Sequence, residues 1–375
     1  MKTVCKKNRC AGCMACVDVC PRNAVHIRDS LDAYNAVIDE VNCIDCGGCF
    51  RVCPNCTPVQ KVQPIGWYDG WAADEIREKA SSGGVASAVI KSFIEQGGYV
   101  ASCLFEQGQF RFEVTNDLKR AQKFAGSKYV KSNPSGVYRS IQGLLRQGHK
   151  VLFVGLPCQV AGLKNFVKND DHLYTMDLIC HGSPSPKILS MFLRENHLDI
   201  AGLEDISFRE KEQFRLSVQT TESKCARIFP KEVQDFYTYA FLKSIDYTEN
   251  CYACPYASLD RVSDITIGDS WGSAQEGEER RRGVSLILCQ SEKGASLIQL
   301  AGLSLHAVDL EKAVATNHQL EHPSALPPKR GVFFKHIHRG FHKALAKCDA
   351  QIYYKKKIKA LLLRCRMIGG GQRAD

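Results

Sequence analysis

The chain has 375 residues, 44% hydrophobic and 24% charged, proportions of an ordinary globular protein with room for two domains. Nineteen cysteines are too many to be incidental and too dilute for a disulfide scaffold at this length, so clustered thiols point to metal binding or thiol chemistry in a reducing compartment. The formal charge of +10 excludes little until it is located: residues 329–375 hold 13 Lys/Arg against 2 Asp/Glu, which leaves the remainder at −1 and gives no reason to expect a nucleic-acid partner.

The opening MKTVCKKNRC lacks the apolar stretch of a secretory signal, and no run approaches the roughly 18 apolar residues of a membrane-spanning helix. A cytoplasmic location is the expectation.

The first cysteines set the theme. Cys10, Cys13, Cys16 and Cys20 precede Pro21, and Cys43, Cys46, Cys49 and Cys53 precede Pro54, so C-x2-C-x2-C-x3-C-P occurs twice, 33 residues apart. Three closely spaced thiolates wrap one face of a [4Fe–4S] cubane, and the fourth reaches the other cluster. One cluster should therefore use Cys10, Cys13, Cys16 and Cys53, and the other Cys43, Cys46, Cys49 and Cys20. Gly12, Ala15, Gly47 and Gly48 let the backbone approach inorganic sulfide. Zinc knuckles also use C-x2-C steps, but tetrahedral zinc does not need four cysteines at this spacing twice, each set followed by proline. Between the motifs, AVHIRDS and NAVIDEV alternate like the arms of a hairpin. Residues 1–64 thus read as an α+β, ferredoxin-like domain for two [4Fe–4S] clusters, with Cys56 an ordinary buried thiol.

Residues 70–330 alternate helical and strand patterns. Ser81-Ser82-Gly83-Gly84 reads as a capped helix start, the periodic run lasts to Glu95, and Gly97-Gly98 stops it. YVASCLF, KVLFVG, LYTMDLI, DITIG and VSLILC are short apolar runs suited to buried strands, which favours an α/β domain with a mixed sheet. No G-x-G-x-x-G follows any of them, so an ordinary nicotinamide site is not expected. Cys158 (VGLPCQ), Cys180 (ICHG), Cys251 and Cys254 (NCYACPYA) stand out here. On spacing alone they are open between core thiols, a low-pKa nucleophile at Cys158, a Cys180–His181 thiol–imidazole pair, and one shared metal site.

Several ordered motifs, SSGGVAS, AGSKYVKS (125–132), VLFVGLPCQVAGL (151–163), ICHG, SFREK (207–211), NCYACPYA and SDITIGDSWG (263–272), resemble the beta subunits of coenzyme F420-reducing hydrogenases and dehydrogenases. The plant enzyme 7-hydroxymethyl chlorophyll a reductase is related to them. The resemblance spans most of residues 1–330 and implies an oxidoreductase with one FAD and a third [4Fe–4S] cluster, whose ligands would be Cys158, Cys180, Cys251 and Cys254. Cys5, Cys56, Cys103, Cys225, Cys289, Cys348 and Cys365 are left without a role. For the flavin, the turn Ser81, Ser82, Gly83 and Gly84 at a helix N-terminus suits a pyrophosphate, or is a plain cap. Ser127, Lys128 and Tyr129 look like a second flavin-proximal segment, with a solvated loop lysine the bland alternative for Lys128. Asp269 and Trp271 shape the flavin or substrate edge, or cap a strand. The resemblance implies electron transfer between coenzyme F420 or another reducible small molecule, FAD and ferredoxin-type clusters. Redox partners would be ferredoxin or a dehydrogenase or hydrogenase subunit. A non-catalytic electron-transfer subunit and a reductase of polysaccharide biosynthesis are the alternatives.

Residues 331–375 read as a basic, helical C-terminal tail. Ile352, Ile358, Leu361 and Leu362 among dense lysines suit weak contact with an anionic membrane surface, or a helix lying on the body or a partner.

Overall fold

The computed structural model describes residues 2–168, 170–210, 213–221, 226–365 and 367. Cys225, Lys211 of the SFREK motif and the tail residues 366 and 368–375 lie outside the described residues.

The N-terminal segment shows its duplication in three dimensions. The short helices Ala15–Val19 and Gly48–Val52 each start from a left-handed residue, Met14 (φ 62) and Gly47 (φ 69), and end on a cysteine in extended conformation, Cys20 and Cys53. Strands β1 (Val25–Asp29) and β2 (Tyr34–Ile38) pair antiparallel between them, where the alternating text placed a hairpin.

The remaining strands are β3 (Gly66–Trp71), β4 (Tyr99–Glu106), β5 (Gln109–Thr115), β6 (Val151–Gly155), β7 (Leu173–Leu178), β8 (Asp205–Glu210), β9 (Gln213–Gln219), β10 (Ala226–Arg227), β11 (Ile265–Asp269), β12 (Ser285–Cys289) and β13 (Ser304–His306). Eight of them form one mixed sheet in the order β13-β3-β12-β11-β7-β6-β4-β5. Its centre, β11-β7-β6-β4, is parallel, and its flanks are antiparallel. The central strands are buried on both faces, which is why they read as continuous apolar runs. Leu152 and Val154 of β6 face the helices Val85–Glu95 and Glu292–Leu300. Val151 and Phe153 face the helices Val137–Arg146 and Pro157–Val167 and, beyond these, the N-terminal segment. The expected helix start is corrected in one respect: Gly84 (φ 81) is the N-cap residue of Val85–Glu95, with no side-chain cap. Ser81 and Ser82 are engaged elsewhere.

Parallel strands place their C-terminal ends on one side of the sheet, where ligands of open α/β sheets bind. Cys158 follows β6, Cys180 follows β7, and Asp269 ends β11 on that side.

A second core joins β8, β9 and the helices Pro186–Glu195 and Phe236–Leu242 to the C-terminal helices Pro328–His336, Phe341–Cys348 and Ala350–Arg364. Phe333, Phe341 and Ala344 are fully buried there, so the basic C-terminal segment is anchored by its apolar residues. Tyr354, Ile358 and Leu361 remain exposed on the last helix beside Lys355 and Lys357. No described helix is long and apolar enough to cross a membrane.

Candidate functional site

Cys10, Cys13, Cys16 and Cys53 come together, each thiol feeling the charge of others in the set. Burial pushes Cys13 and Cys16 upward. Cys5, given no role by the motif, sits against this set: its thiol hydrogen-bonds Cys10 and Cys53 and lowers both, against their burial. Nothing in a C-x4-C spacing announces that contact. Cys56 corrects the sequence expectation, for it is exposed, its sulfur 3.3 Å from the Val4 carbonyl oxygen. Residues 55–58 are all exposed, so Cys56 lies on a surface stretch of chain.

Cys20 of the first motif joins Cys43, Cys46 and Cys49 of the second around a cavity of about 30 Å³. Cys46 is exposed, whereas all of the first set is buried.

The third group also converges. Cys180 feels Cys251 and Cys254, and Cys158 feels Cys254, Cys180 and Cys13 of the first set. Burial pushes Cys180 up to about 12 and Cys158 and Cys254 upward as well. An unliganded Cys158 or Cys180 would therefore be a protonated thiol at neutral pH, which disfavours the nucleophile alternatives. The His181 Nδ1 lies 2.7 Å from the Gln319 amide nitrogen. Polar neighbours gather at Cys251 instead: Thr248 Oγ1 lies 3.6 Å, Asn250 Nδ2 3.7 Å and Ser183 Oγ 4.0 Å from its sulfur. Among the described residues no three His, Cys, Asp or Glu side chains crowd closely enough for one metal ion.

Beside this group lies a cavity of about 410 Å³, within the range of small-molecule sites. Ser81, Ser82, Gly84, Ser127, Lys128 and Tyr129 line it, and so does Cys180. The two segments meet directly, the Ser127 amide donating to Ser81 Oγ at 2.9 Å. Lys128 is no solvated loop lysine: its Nζ donates to the carbonyls of Phe124 (2.8 Å) and Ala125 (2.7 Å). Gly83 departs from expectation. It is not part of the lining, its amide donates to Ser285 Oγ at 3.1 Å, and a Cβ there would stand 2.5 Å from the Gly70 carbonyl oxygen. Close approach to β3 and β12, not a phosphate, accounts for that glycine.

Arg209 pairs with Asp269 at 2.6 Å, and its guanidinium lies 4.8 Å from the Phe214 ring and 5.8 Å from that of Trp271. Tyr129 stacks on Phe241 with ring centroids 4.5 Å apart. Cys103 also lines this cavity from β4.

Residues 9–56 match the 4Fe-4S dicluster domain, and residues 148–312 match the domain described as the C terminus of the coenzyme F420 hydrogenase/dehydrogenase beta subunit. The chain carries a domain of this family behind a dicluster domain. It is 23% identical over 296 residues to one of the subunits of the F(420)H(2) dehydrogenase of Methanosarcina mazei, covering 70% of this chain and 78% of that one. It is 25% identical over 320 residues to the coenzyme F420-dependent sulfite reductase of Methanocaldococcus jannaschii, covering 81% and 47%. An uncharacterized protein of the same organism is 25% identical over 200 residues, covering 44% and 55%. The chain thus spans about half the length of these last two relatives. A chain of the F420-reducing [NiFe] hydrogenase complex from Methanosarcina barkeri superposes with a TM-score of 0.48 at 19% identity, covering 69% of this chain and 91% of that one. The protein described here is an iron–sulfur electron-transfer protein related to the beta subunits of coenzyme F420 hydrogenases and dehydrogenases.

Proposed function

We propose that this chain is an iron–sulfur flavoprotein oxidoreductase that moves electrons between a two-electron small molecule and three [4Fe–4S] clusters. One observation carries the reading. Cys180 lines the large cavity and also faces Cys251 and Cys254, while Cys158 of the same group faces Cys13. Residues fit for cofactors therefore run without a break from the cavity to the dicluster segment. A pure relay protein has no need of such a cavity.

The cysteine sets would hold the clusters as Cys10, Cys13, Cys16 and Cys53, then Cys20, Cys43, Cys46 and Cys49, then Cys158, Cys180, Cys251 and Cys254. The four cysteines around the second set's hollow and the donors clustered on Cys251 suit that group, since donors to sulfur help set cluster potential. FAD would lie along Ser81, Ser82 and Gly84 with Ser127, Lys128 and Tyr129. These cofactors supply the chemistry that divides an electron pair into single steps. The chain's own part is to bury the first and third sets, to hold Lys128 by two carbonyls at the cavity wall, and to present Arg209, Asp269 and Trp271 toward an incoming molecule.

Coenzyme F420 is the two-electron partner that the names of the relatives support. Ferredoxin, or a component of a larger dehydrogenase or hydrogenase, would meet the exposed second set around Cys46. The thiol sets suit the reducing cytoplasm. The exposed Tyr354, Ile358 and Leu361 beside lysines offer a face for weak contact with anionic membranes.

The test uses full-length protein purified without oxygen, its flavin released and identified, assayed against reduced F420 and separately against reduced ferredoxin. Bound FAD and bleaching of the iron–sulfur absorbance by either donor support the reading. Protein without flavin that neither donor reduces, but that accepts electrons from a dye, would be a relay protein.

A further inference from the structure

Lys131 lies at the junction of the first and third cysteine sets, only 6% exposed. Its backbone amide donates to the Pro184 carbonyl at 3.0 Å, which draws this strand of chain against the segment following Cys180. Its Nζ donates to the Ala11 carbonyl at 3.1 Å, between Cys10 and Cys13, and to Ser183 Oγ at 3.3 Å. Ser183 Oγ stands in turn 4.0 Å from Cys251 Sγ. The stem crosses the Tyr34 ring, with Nζ 5.3 Å from its centroid, and passes 3.8 Å from where a Cβ on Gly12 would stand. Among the described residues no carboxylate pairs with it. The charge reaches Cys10, Cys158 and Cys180, members of both sets.

A buried ammonium facing only neutral acceptors is costly unless an anion lies near. Cubanes ligated by four thiolates are such anions, and each gains a further negative charge on reduction, so a nearby cation favours the reduced form. We propose that Lys131 is a potential-tuning residue shared by the first and third clusters, raising both reduction potentials together and offsetting the repulsion between electrons on neighbouring centres. Lys131 is not among the main charges acting on Cys49 of the second set, and Cys46 is exposed to solvent, so the second cluster should feel it least. This assignment rests on the three-cluster reading above.

The experiment is a potentiometric titration followed by electron paramagnetic resonance on full-length, anaerobically reconstituted protein. Lys131→Met should lower the first and third potentials, with the reduction equilibrium of each falling about tenfold, or about 59 mV for a one-electron couple. The second should not move, and Lys131→Arg should retain near wild-type values. Unmoved potentials in a fully loaded Lys131→Met protein, or equal shifts at all three clusters, would overturn the proposal. Should Lys131→Met lose iron, Lys131→Gln decides, because its amide keeps a donor for the Ala11 carbonyl and the Ser183 hydroxyl while the charge is removed. Lowered first and third potentials in that variant support the assignment, and unmoved ones overturn it. Wild-type protein with only two paramagnetic clusters would overturn the functional reading itself, a failure visible before any variant is made.

Discussion

A methyl group built on Gly162 would stand 3.0 Å from the sulfur of Cys13. Gly162 lies one turn beyond Cys158 on the helix Pro157–Val167, so a single helical turn carries one residue of the third set and the surface on which the first set rests. A contact of 3.0 Å is tighter than sulfur and carbon normally allow, and the missing side chain is what lets the two sets approach.

Gly162→Val should therefore push the N-terminal segment off this helix. Overpacking of this kind costs about 1–3 kcal/mol. We expect a lowered melting temperature and slower reduction of the N-terminal clusters in stopped-flow measurements, with flavin content unchanged. Wild-type transfer rates in the Val variant would remove Gly162 from the electron route.

Iron content separates two clusters from three. Anaerobically reconstituted wild-type protein should hold about 12 irons, and Cys254→Ala about 8, with the dicluster signals intact. Cys289→Ala, in the fully buried interior of β12 and away from the large cavity, is the fitting control. A wild-type count of about 8, matched by Cys254→Ala, would eliminate the third cluster.

Ser87 lines the large cavity from the helix Val85–Glu95. Ser87→Glu places a carboxylate in the space assigned to FAD and should cut flavin occupancy more than tenfold while leaving iron content unchanged. It is a cleaner probe than any substitution of Gly84, whose φ of +81 and 3.2 Å approach to Arg77 Cα would strain the turn. Full occupancy in the Glu variant would move the flavin elsewhere.

Asp246 is fully buried, and among the described residues no other residue donates a hydrogen bond to its carboxylate oxygens. Burial raises its carboxyl to about 8. The unfolded chain releases that proton near pH 4 and the folded chain only near pH 8, so the folded state holds the extra proton between them and stability falls as pH rises through that window. Asp246→Asn removes the titration. Between about pH 5 and about pH 8 the variant's melting temperature should gain on wild type, by the equivalent of a few kcal/mol at most. A difference between the two proteins that stays constant with pH would mean that Asp246 does not titrate there.

The cysteine motifs, the hairpin and the five central strands were legible from residues alone because each rests on local periodicity or short spacing. YVASCLF and VLFVG carry their own signal as buried strands, and Gly97 ends the helix before β4 by its left-handed conformation. Strand β3, GWYDGW, shows no such period, and only its pairing with β12 and β13 makes it a strand. What tertiary structure alone decided are meetings between distant residues. Cys5 against Cys10 and Cys53, Gly162 beneath Cys13, Lys131 between two cysteine sets and Arg209 paired with Asp269 carry no mark in the sequence. The close packing of Gly83 and the exposure of Cys56 are hidden from the sequence for the same reason, since a glycine's neighbours and a thiol's exposure depend on what the chain brings beside them. Local propensity is written in consecutive residues, whereas burial, charge pairing and close approach are properties of surfaces that exist only once the sheet has formed and its strand ends have gathered on one side.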